Sequence, residues 1–310
     1  MAGTVRKLQE RFIASLDHVL AVTIIVDDIG ETARAYGEAF GYRDLERRAV
    51  SASEAETWDC PAMEGAPLLL MQPESGADFA LRFVEAEPTE GYAALQTHGW
   101  NAAELLVQDP DAMAERLAAS TFEVIGMPYD LGGNPNARAM QVQGPSGEIL
   151  YLTRLKGDYA EFFGTANCPV DRGFIMVAGG PDHDAMKRFY ADLGQEIVGE
   201  SDFPITVLSR ALGLPRETRY PLSSARLARS YSFELDGYPE QTRARPRRYG
   251  ELPPGIAMVS VAVNNLDAID LEWRSPPKPI THAPYNGRRA AVAIGAAGEW
   301  LECVDGGETK

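Results

Sequence analysis

The feature that most constrains the fold of this chain is an internal repeat. A β-branched segment, an aspartate and an amphipathic segment occur in this order at residues 22–42 and again at 174–194. Tyr36 and Tyr190 occupy matching places in the two copies, 154 residues apart. The pattern predicts a strand that leads into an Asp-capped helix in each half of the chain.

A second pair of matching segments supports the repeat. Gly-Pro-Ser-Gly at 144–147 and Gly-Ala-Ala-Gly at 295–298 are each followed by an apolar strand segment. Two shorter units, at 102–117 and 257–271, are each predicted to form a strand, a polar turn and a helix. Each half of the chain therefore holds two units of strand, helix and further strands.

The repeat predicts the domain organisation. We expect an N-terminal extension at 1–15, a first domain at 16–156, a linker at 157–170, a second domain at 171–305 and a tail at 306–310. The linker contains Gly and Pro but is too aromatic for a free tether, so it should pack against the domains.

Charge and cysteine content exclude several classes of protein. The chain has 29 Lys and Arg against 45 Asp and Glu, a net charge of -16, which disfavours binding to nucleic acids and to anionic membranes. No apolar run is long enough to cross a membrane as a helix. Three widely spaced cysteines predict no disulfide framework, in keeping with a cytoplasmic location. No dinucleotide or phosphate-loop motif is present.

In layout, the repeat resembles the vicinal oxygen chelate superfamily, which includes glyoxalase I, bleomycin-resistance proteins, methylmalonyl-CoA epimerase and extradiol dioxygenases. The resemblance rests on Leu16-Asp-His-Val19, Phe189-Tyr190, Leu193-Gly194 and the two glycine turns, and it covers almost the whole chain. It implies an α+β fold in which tandem βαβββ modules pair into two cup-shaped mixed sheets. Fold alone does not determine function.

The resemblance also implies where a metal would bind, on the first and last strands of modules. Glu302 stands where the ligand glutamate of the superfamily would be, and its counterpart in the first half is Tyr151. At or near the positions on the opening strands stand apolar residues: Ala21, Ala102, Ile175 and Met258. His282 or His98 are alternative ligands. The cofactor is thus either absent or one divalent metal (Fe, Mn, Ni or Zn) bound through Glu302, and ring-cleaving dioxygenation is disfavoured.

Without a metal, the cup of the second half could still carry out acid-base chemistry. Glu302 would be the base, with His282 or Tyr285 as its partner. In the first half, Tyr151 could donate a hydrogen bond to a substrate oxygen, or it could be a buried tyrosine that bonds to the backbone. Sequence leaves both readings of Tyr151 open.

Residues 201–250 lack clean periodicity and are expected to form long loops. They contain the most basic segment of this acidic chain. The candidate substrate-binding residues in it are Arg243, Arg245, Arg247, Arg248 and Tyr249. Four arginines without an acid suit a carboxylate or phosphate on a ligand, and the alternative is a solvated loop that pairs with surface acids.

Three functions follow as hypotheses. The first is an isomerase or lyase that acts on an oxygenated or aromatic small molecule. The second is a non-catalytic binding or sequestering protein of the bleomycin-resistance type, which the apolar residues at the ligand positions favour. The third is a repeat that serves a protein partner or a homodimer. The ligand is predicted to be a small molecule, aromatic or anionic, and the chain a monomer or homodimer.

Overall fold

Residues 16–306, the part of the chain that this computed structural model describes, form four strand-rich modules. The predicted extension at 1–15 and residues 307–310 of the predicted tail lie outside the described residues. The sequence repeat therefore corresponds to a repeat in structure.

The first half contains two modules. Module 1 consists of β1 (Leu16–Val26), α1 (Ile29–Phe40), β2 (Arg43–Ala49), α2 (Ala52–Thr57), β3 (Pro67–Gln72) and β4 (Ala80–Glu85). Module 2 consists of β5 (Gly99–Val107), α3 (Pro110–Leu117), β6 (Glu123–Asp130), β7 (Ala137–Gln143) and β8 (Ile149–Leu155). Helix α4 (Gly157–Phe163) then occupies part of the predicted linker, and Ala160 and Phe163 pack against Leu106, Leu155 and Phe174.

The second half repeats the arrangement. Module 3 consists of β9 (Val170–Gly180), α5 (His183–Asp192), β10 (Glu196–Pro204), α6 (Thr206–Ala211), β11 (Arg219–Arg226) and β12 (Ser232–Gly237). Module 4 consists of β13 (Ile256–Val263), β14 (Lys278–Pro279), β15 (Arg289–Ile294) and β16 (Trp300–Asp305). Short 3-10 turns lie at Pro61–Met63, Leu131–Gly133 and Leu266–Ala268.

The local signals in the sequence explain how each opening strand ends. A side-chain oxygen accepts a hydrogen bond from a backbone N–H of the following turn at Asp28, Asp109, Asp182 and Asn265. Such caps satisfy N–H groups that a helix start leaves unpaired.

One expectation for the second half holds in part and another is wrong. Residues 201–250 contain α6, β11 and β12 as well as the end of β10, and the long loop expected there is the segment between β12 and β13. The helix expected within 257–271 is only the 3-10 turn at Leu266–Ala268. Pro276 and Pro277 follow soon after, and proline disfavours helix both at its own position and just before it.

The strands form two eight-stranded mixed sheets. Sheet I has the order β14-β15-β16-β13-β1-β4-β3-β2, and sheet II has the order β10-β11-β12-β9-β5-β8-β7-β6. At the centre of each, two opening strands pair antiparallel, β1 with β13 and β5 with β9. The predicted α+β fold of paired modules in two cup-shaped mixed sheets is confirmed.

Each sheet combines one module from each half of the chain. Sheet I joins modules 1 and 4, and sheet II joins modules 2 and 3. The sequence repeat suggested instead that each half would form its own cup. The boundary at 157–170 marks the end of one repeat, and its status as a domain boundary stays a prediction.

Contacts between matching residues of the repeat join the modules of one half. Tyr36 on α1 donates a hydrogen bond to Glu148 at 2.6 Å, and Tyr190 on α5 donates one to Glu299 at 2.9 Å. Both carboxyls follow the glycine turns and also accept backbone N–H groups, from Ser146 and Ala297 respectively. Burial raises the pKa of Glu148 and of Glu299 to about 7. In each half of the chain, the tyrosine of the first repeated segment therefore contacts the glutamate that follows the repeated glycine turn.

The two faces of each sheet have different neighbours. One face of both sheets, with α1, α3 and α5, contributes to a shared core that includes Val22, Leu105 and Met176. The other face of sheet I, here cup I, is covered by α2 and the residues after it, with Trp58 and Met63 inside. The other face of sheet II, here cup II, is covered by α6.

Candidate functional site

The same strand positions line both cups. Four residues on the opening strands lie five positions before the capping residue: Thr23, Glu104, Val177 and Ser260. In the neighbouring parallel strands they pair, in that order, with Arg82, Tyr151, Glu234 and Glu302. Cup I is thus built on Thr23, Arg82, Ser260 and Glu302, and cup II on Glu104, Tyr151, Val177 and Glu234.

Cup I contains a buried ion pair. Arg82 Nη2 lies 2.9 Å from Glu302 Oε2, and both side chains are fully buried. The guanidinium also donates to Thr23 Oγ1 at 2.8 Å and to Ser260 Oγ at 3.1 Å. The charges of Glu302 and of neighbouring groups oppose the effect of burial and raise the pKa of Arg82. The arginine is therefore a permanent cation in the centre of this cup.

Two aromatic residues complete the network. Trp58 Nε1 donates to Glu302 Oε1 at 2.7 Å, and its ring lies 5.0 Å from the Arg82 guanidinium. The Tyr285 hydroxyl accepts from Arg82 at 2.5 Å and donates to Glu302 Oε1 at 2.8 Å. Ser260 Oγ donates to the other carboxylate oxygen. Each oxygen of Glu302 thus accepts two hydrogen bonds, which uses its capacity.

The residues of cup I do not fit a divalent metal. A hard or borderline cation needs oxygen or nitrogen ligands with positions open to substrate. Ala21 and Met258 are buried apolar residues of this cup. The oxygens of Glu302 are taken by Arg82 and by the three hydroxyl or indole donors. Within residues 16–306 there is no group of three His, Cys, Asp or Glu that could hold a metal.

The structure brings together only some of the residues predicted from sequence. Glu302 and Tyr285 are in contact, as expected for a pair. His282 instead lies 3.1 Å from Glu46 and is partly exposed. Tyr151 belongs to sheet II, where it lines the cavity of cup II.

The arginine-rich segment binds backbone carbonyls. Arg243 donates to Gly91 O, and Arg248 to the carbonyls of Glu87 and Pro88. Arg245 donates to Pro254, Ile256 and Trp100, while Arg247 donates to Glu251 and lies over the Trp300 ring at 5.3 Å. Tyr249 is exposed. The segment therefore fastens its own loop to the two sheets.

Arg245 and Arg247 also border a cavity. This space of about 350 Å³ lies between the sheets and includes His98, Trp100 and Trp300 among its lining residues. Both guanidinium groups have carbonyl partners there. Their predicted role in binding a ligand stays a prediction.

Cup II encloses a cavity with titratable groups. The inner part, about 80 Å³, lies between the sheet and α6. Its polar lining consists of Glu104, Tyr129, Gln141, Tyr151, Thr206 and Glu234, and the remaining lining is apolar. Cup II thus combines apolar walls with a few polar groups, which is typical of small-molecule sites.

Glu104 is the most buried carboxyl of this cavity. Its residue is 6% exposed, and Thr153 on β8 donates to one of its oxygens. No other described residue hydrogen-bonds to the carboxyl. Burial raises the pKa of Glu104 to about 7, against a small opposing effect of Thr153. Both protonation states are therefore populated near neutral pH.

Two further carboxyls follow on β12. Glu234 lines the cavity, and Asp236 lies two residues further on the same strand, 1% exposed. Burial raises the pKa of both, and for Glu234 the charges of Asp236 and Glu104 add to this effect. Like charges held close together share protons and titrate as a group.

A wider outer cavity of about 550 Å³ adjoins the inner one. The two share Tyr129, Phe203, Pro204 and Thr206. The charged residues of the outer part are Asp130, Arg216, Glu217 and Arg219. The outer cavity therefore offers aromatic and apolar walls with balanced charge, and it borders the inner cavity that Glu104 and Glu234 line.

Sequence reasoning missed Arg82, Glu104 and Glu234. The sequence contains a signal for Glu104, because this acid lies within a buried strand, five residues before the capping residue Asp109. Arg82 and Glu234 become significant only when their strands are paired in the sheet, which the repeat alone does not specify.

None of the helices in residues 16–306 is long and apolar enough to span a membrane.

Comparison with known proteins shows which solved structures have a similar architecture. No family model matches the sequence, and no curated protein matches it. Among solved structures, glyoxalase I from Zea mays has 17% identity and a TM-score of 0.61 over 93% of this chain and 92% of the other. A variant of that enzyme has 18% identity and a TM-score of 0.63, covering 98% and 97%. A candidate dioxygenase from Bacillus subtilis has 11% identity and a TM-score of 0.60, covering 94% and 86%.

Proposed function

Because the chain has the fold of the vicinal oxygen chelate superfamily, with glyoxalase I as a full-length structural relative, we propose that it is an enzyme with its active site in cup II. The reaction is a proton transfer of isomerase or lyase type on an oxygenated or aromatic small molecule. The observation that carries the proposal is the Glu104 carboxyl, which is buried at an accessible cavity and has a single hydrogen-bond donor, Thr153.

The chemistry rests on residues of this chain. A carboxyl with a pKa of about 7 can accept a proton from carbon or oxygen and return it at neutral pH, so Glu104 acts as general acid and base. Tyr151 and Tyr129 line the same cavity and can donate hydrogen bonds to a substrate oxygen on which negative charge develops. Helix α6 packs over the cup, and the burial of the polar groups beneath it strengthens these interactions.

Within the described residues no three His, Cys, Asp or Glu side chains are grouped as metal ligands, and the proposed proton transfer uses side chains of this chain. A cytoplasmic location and a monomeric or homodimeric state stay predictions.

Binding without turnover is the second candidate, as in the sequestering members of the superfamily. The outer cavity of about 550 Å³ favours it, because this volume suits a drug-sized molecule. Under this function, Glu104 would contribute only to affinity.

One experiment distinguishes the two functions. A panel of hydroxyketones and aromatic ketones is incubated with the protein in deuterated buffer, and hydrogen exchange at carbon is followed by proton NMR. The enzyme proposal predicts exchange that falls at least about a hundredfold in Glu104→Gln, the scale of general acid-base catalysis. Glu240→Gln, at an exposed position of the same half, is the matched control and keeps the wild-type rate.

The sequestering function gives a different result. It predicts tight binding of a panel member with no exchange above background. Exchange that Glu104→Gln leaves unchanged, in a folded variant, would place the chemistry outside cup II and refute the proposal.

A further inference from the structure

Cup I shows what kind of group its strand positions accommodate next to a carboxylate. The guanidinium of Arg82 lies against Glu302 and donates hydrogen bonds to the hydroxyls of Thr23, Ser260 and Tyr285. This cation belongs to the chain itself. Cup I is therefore internally neutralised and closed.

The matched positions of cup II lack this cation. In the sequence repeat, Glu234 stands where Arg82 stands in cup I, and Tyr151 stands where Glu302 stands. Glu104 stands where Ser260 stands, so cup II has two carboxyls where cup I has one carboxyl and one cation. None of the residues that line the inner cavity, all of them in the described part of the chain, is Lys or Arg.

The hydrogen bonding of cup II is also incomplete. Gln141 lines the inner cavity and is 4% exposed, yet its amide oxygen has no hydrogen-bond partner among the described residues. No described residue donates a hydrogen bond to the Glu234 carboxyl. Buried polar groups normally have partners, so the oxygens of Gln141 and Glu234 are acceptors that no described residue satisfies.

We propose that the ligand of cup II carries a cationic nitrogen group, an ammonium, amidinium or guanidinium, which lies between Glu104 and Glu234 as the Arg82 guanidinium lies beside Glu302. Such a group supplies the positive charge that the lining of the inner cavity lacks, and its N–H groups can donate to the carboxyl oxygens. The inference rests on the proposed function in one respect, namely that cup II is the functional cavity. The remainder of the ligand extends past Phe203 and Tyr129 into the outer cavity.

Three probes of equal shape and different charge test the inference. Benzamidine is a cation at pH 8, benzamide is neutral and benzoate is an anion. Their affinities for the wild-type protein, measured by titration calorimetry or ligand-detected NMR, should differ. We expect benzamidine to bind at least tenfold more tightly than benzamide, and benzoate to bind least.

Variants locate the binding. Glu234→Gln and Glu104→Gln should each reduce benzamidine affinity at least tenfold and leave benzamide affinity within a factor of three. Glu240→Gln is the charge-matched control and should change neither. Circular dichroism establishes that each variant is folded, and the comparison of probes on the wild-type protein needs no variant.

The outcomes separate this inference from the proposed function. Equal affinity of the three probes, or preference for benzoate, overturns the cationic ligand, while loss of all binding in the cup II variants would keep this cup as the site. Tight benzamidine binding that neither variant weakens contradicts the inference and also counts against cup II as the functional cavity.

Discussion

The buried Arg82 and Glu302 pair gives the sharpest prediction for stability. In Arg82→Met the carboxylate keeps its hydrogen bonds from Trp58, Tyr285 and Ser260 but loses the one cation that pairs with it among the described residues. At an N–O distance of 2.9 Å and an effective dielectric constant of about 20, the lost attraction is about 6 kcal/mol. Relaxation of the surrounding groups offsets part of this loss.

We therefore expect Arg82→Met to lower the free energy of unfolding by about 3 to 5 kcal/mol at pH 7, the range for breaking a buried pair. The double variant Arg82→Met with Glu302→Gln removes both charges of the pair, and it should recover at least about 2 kcal/mol of this loss. Urea unfolding, followed by tryptophan fluorescence and by circular dichroism, measures the wild type, the two single variants and the double variant.

A surface ion pair is the control. Lys278 and Glu56 are 2.7 Å apart but partly exposed, so Lys278→Met should cost less than about 1 kcal/mol. A loss below about 1 kcal/mol for Arg82→Met would refute the reasoning. Strict additivity of the two single substitutions would refute it as well, since the residues would then not interact.

Two further predictions concern other buried groups. Burial raises the pKa of Glu299 to about 7, so the folded state binds the carboxyl proton more tightly than the unfolded state does. The protonated carboxyl therefore contributes its full stabilisation below about pH 4, and this contribution is lost as the pH rises through 7. Glu299→Gln should flatten the fall in unfolding free energy between pH 5 and 8, and an unchanged slope would contradict this. Arg245 donates to the backbone carbonyls of Trp100, Pro254 and Ile256, so Arg245→Met should lower the unfolding free energy by about 2 to 4 kcal/mol. Arg243→Met removes one exposed hydrogen bond and should cost less than about 1 kcal/mol. Equal losses in thermal or urea unfolding would show that Arg245 does not fasten the segment.

Local features of the fold could be predicted from sequence because they depend on neighbouring residues. Asp28 and Asp182 cap the helices that follow, and the glycine turns at 144–147 and 295–298 precede β8 and β16, as expected. The order of the modules also followed from the repeat. Where a local signal was absent, as at Leu266–Ala268, the predicted helix was wrong.

The candidate site was predicted only in part. The sequence proposed Glu302 and Tyr285 as partners and Tyr151 as a residue that could donate to a substrate; the structure has Glu302 and Tyr285 in contact and Tyr151 at the cavity of cup II, while the roles stay predictions. The sequence assigned the base to a carboxylate that Arg82 neutralises. Glu104, which has one hydrogen-bond donor among the described residues, lies in the other cup. Its sequence signal is an acid on a buried strand, five residues before the Asp109 cap.

What the sequence determined by itself is the series of strands, caps and turns, because side-chain alternation and capping act over a few residues. The tertiary structure decided which strands lie side by side. Pairing of β1 with β13 brings Arg82 next to Glu302 across 220 positions of the chain, and pairing of β5 with β9 brings Glu104 near Glu234. Electrostatic interactions depend on distance in space and on burial, so the same residue type is a neutralised structural group in one cup and a candidate acid-base group in the other.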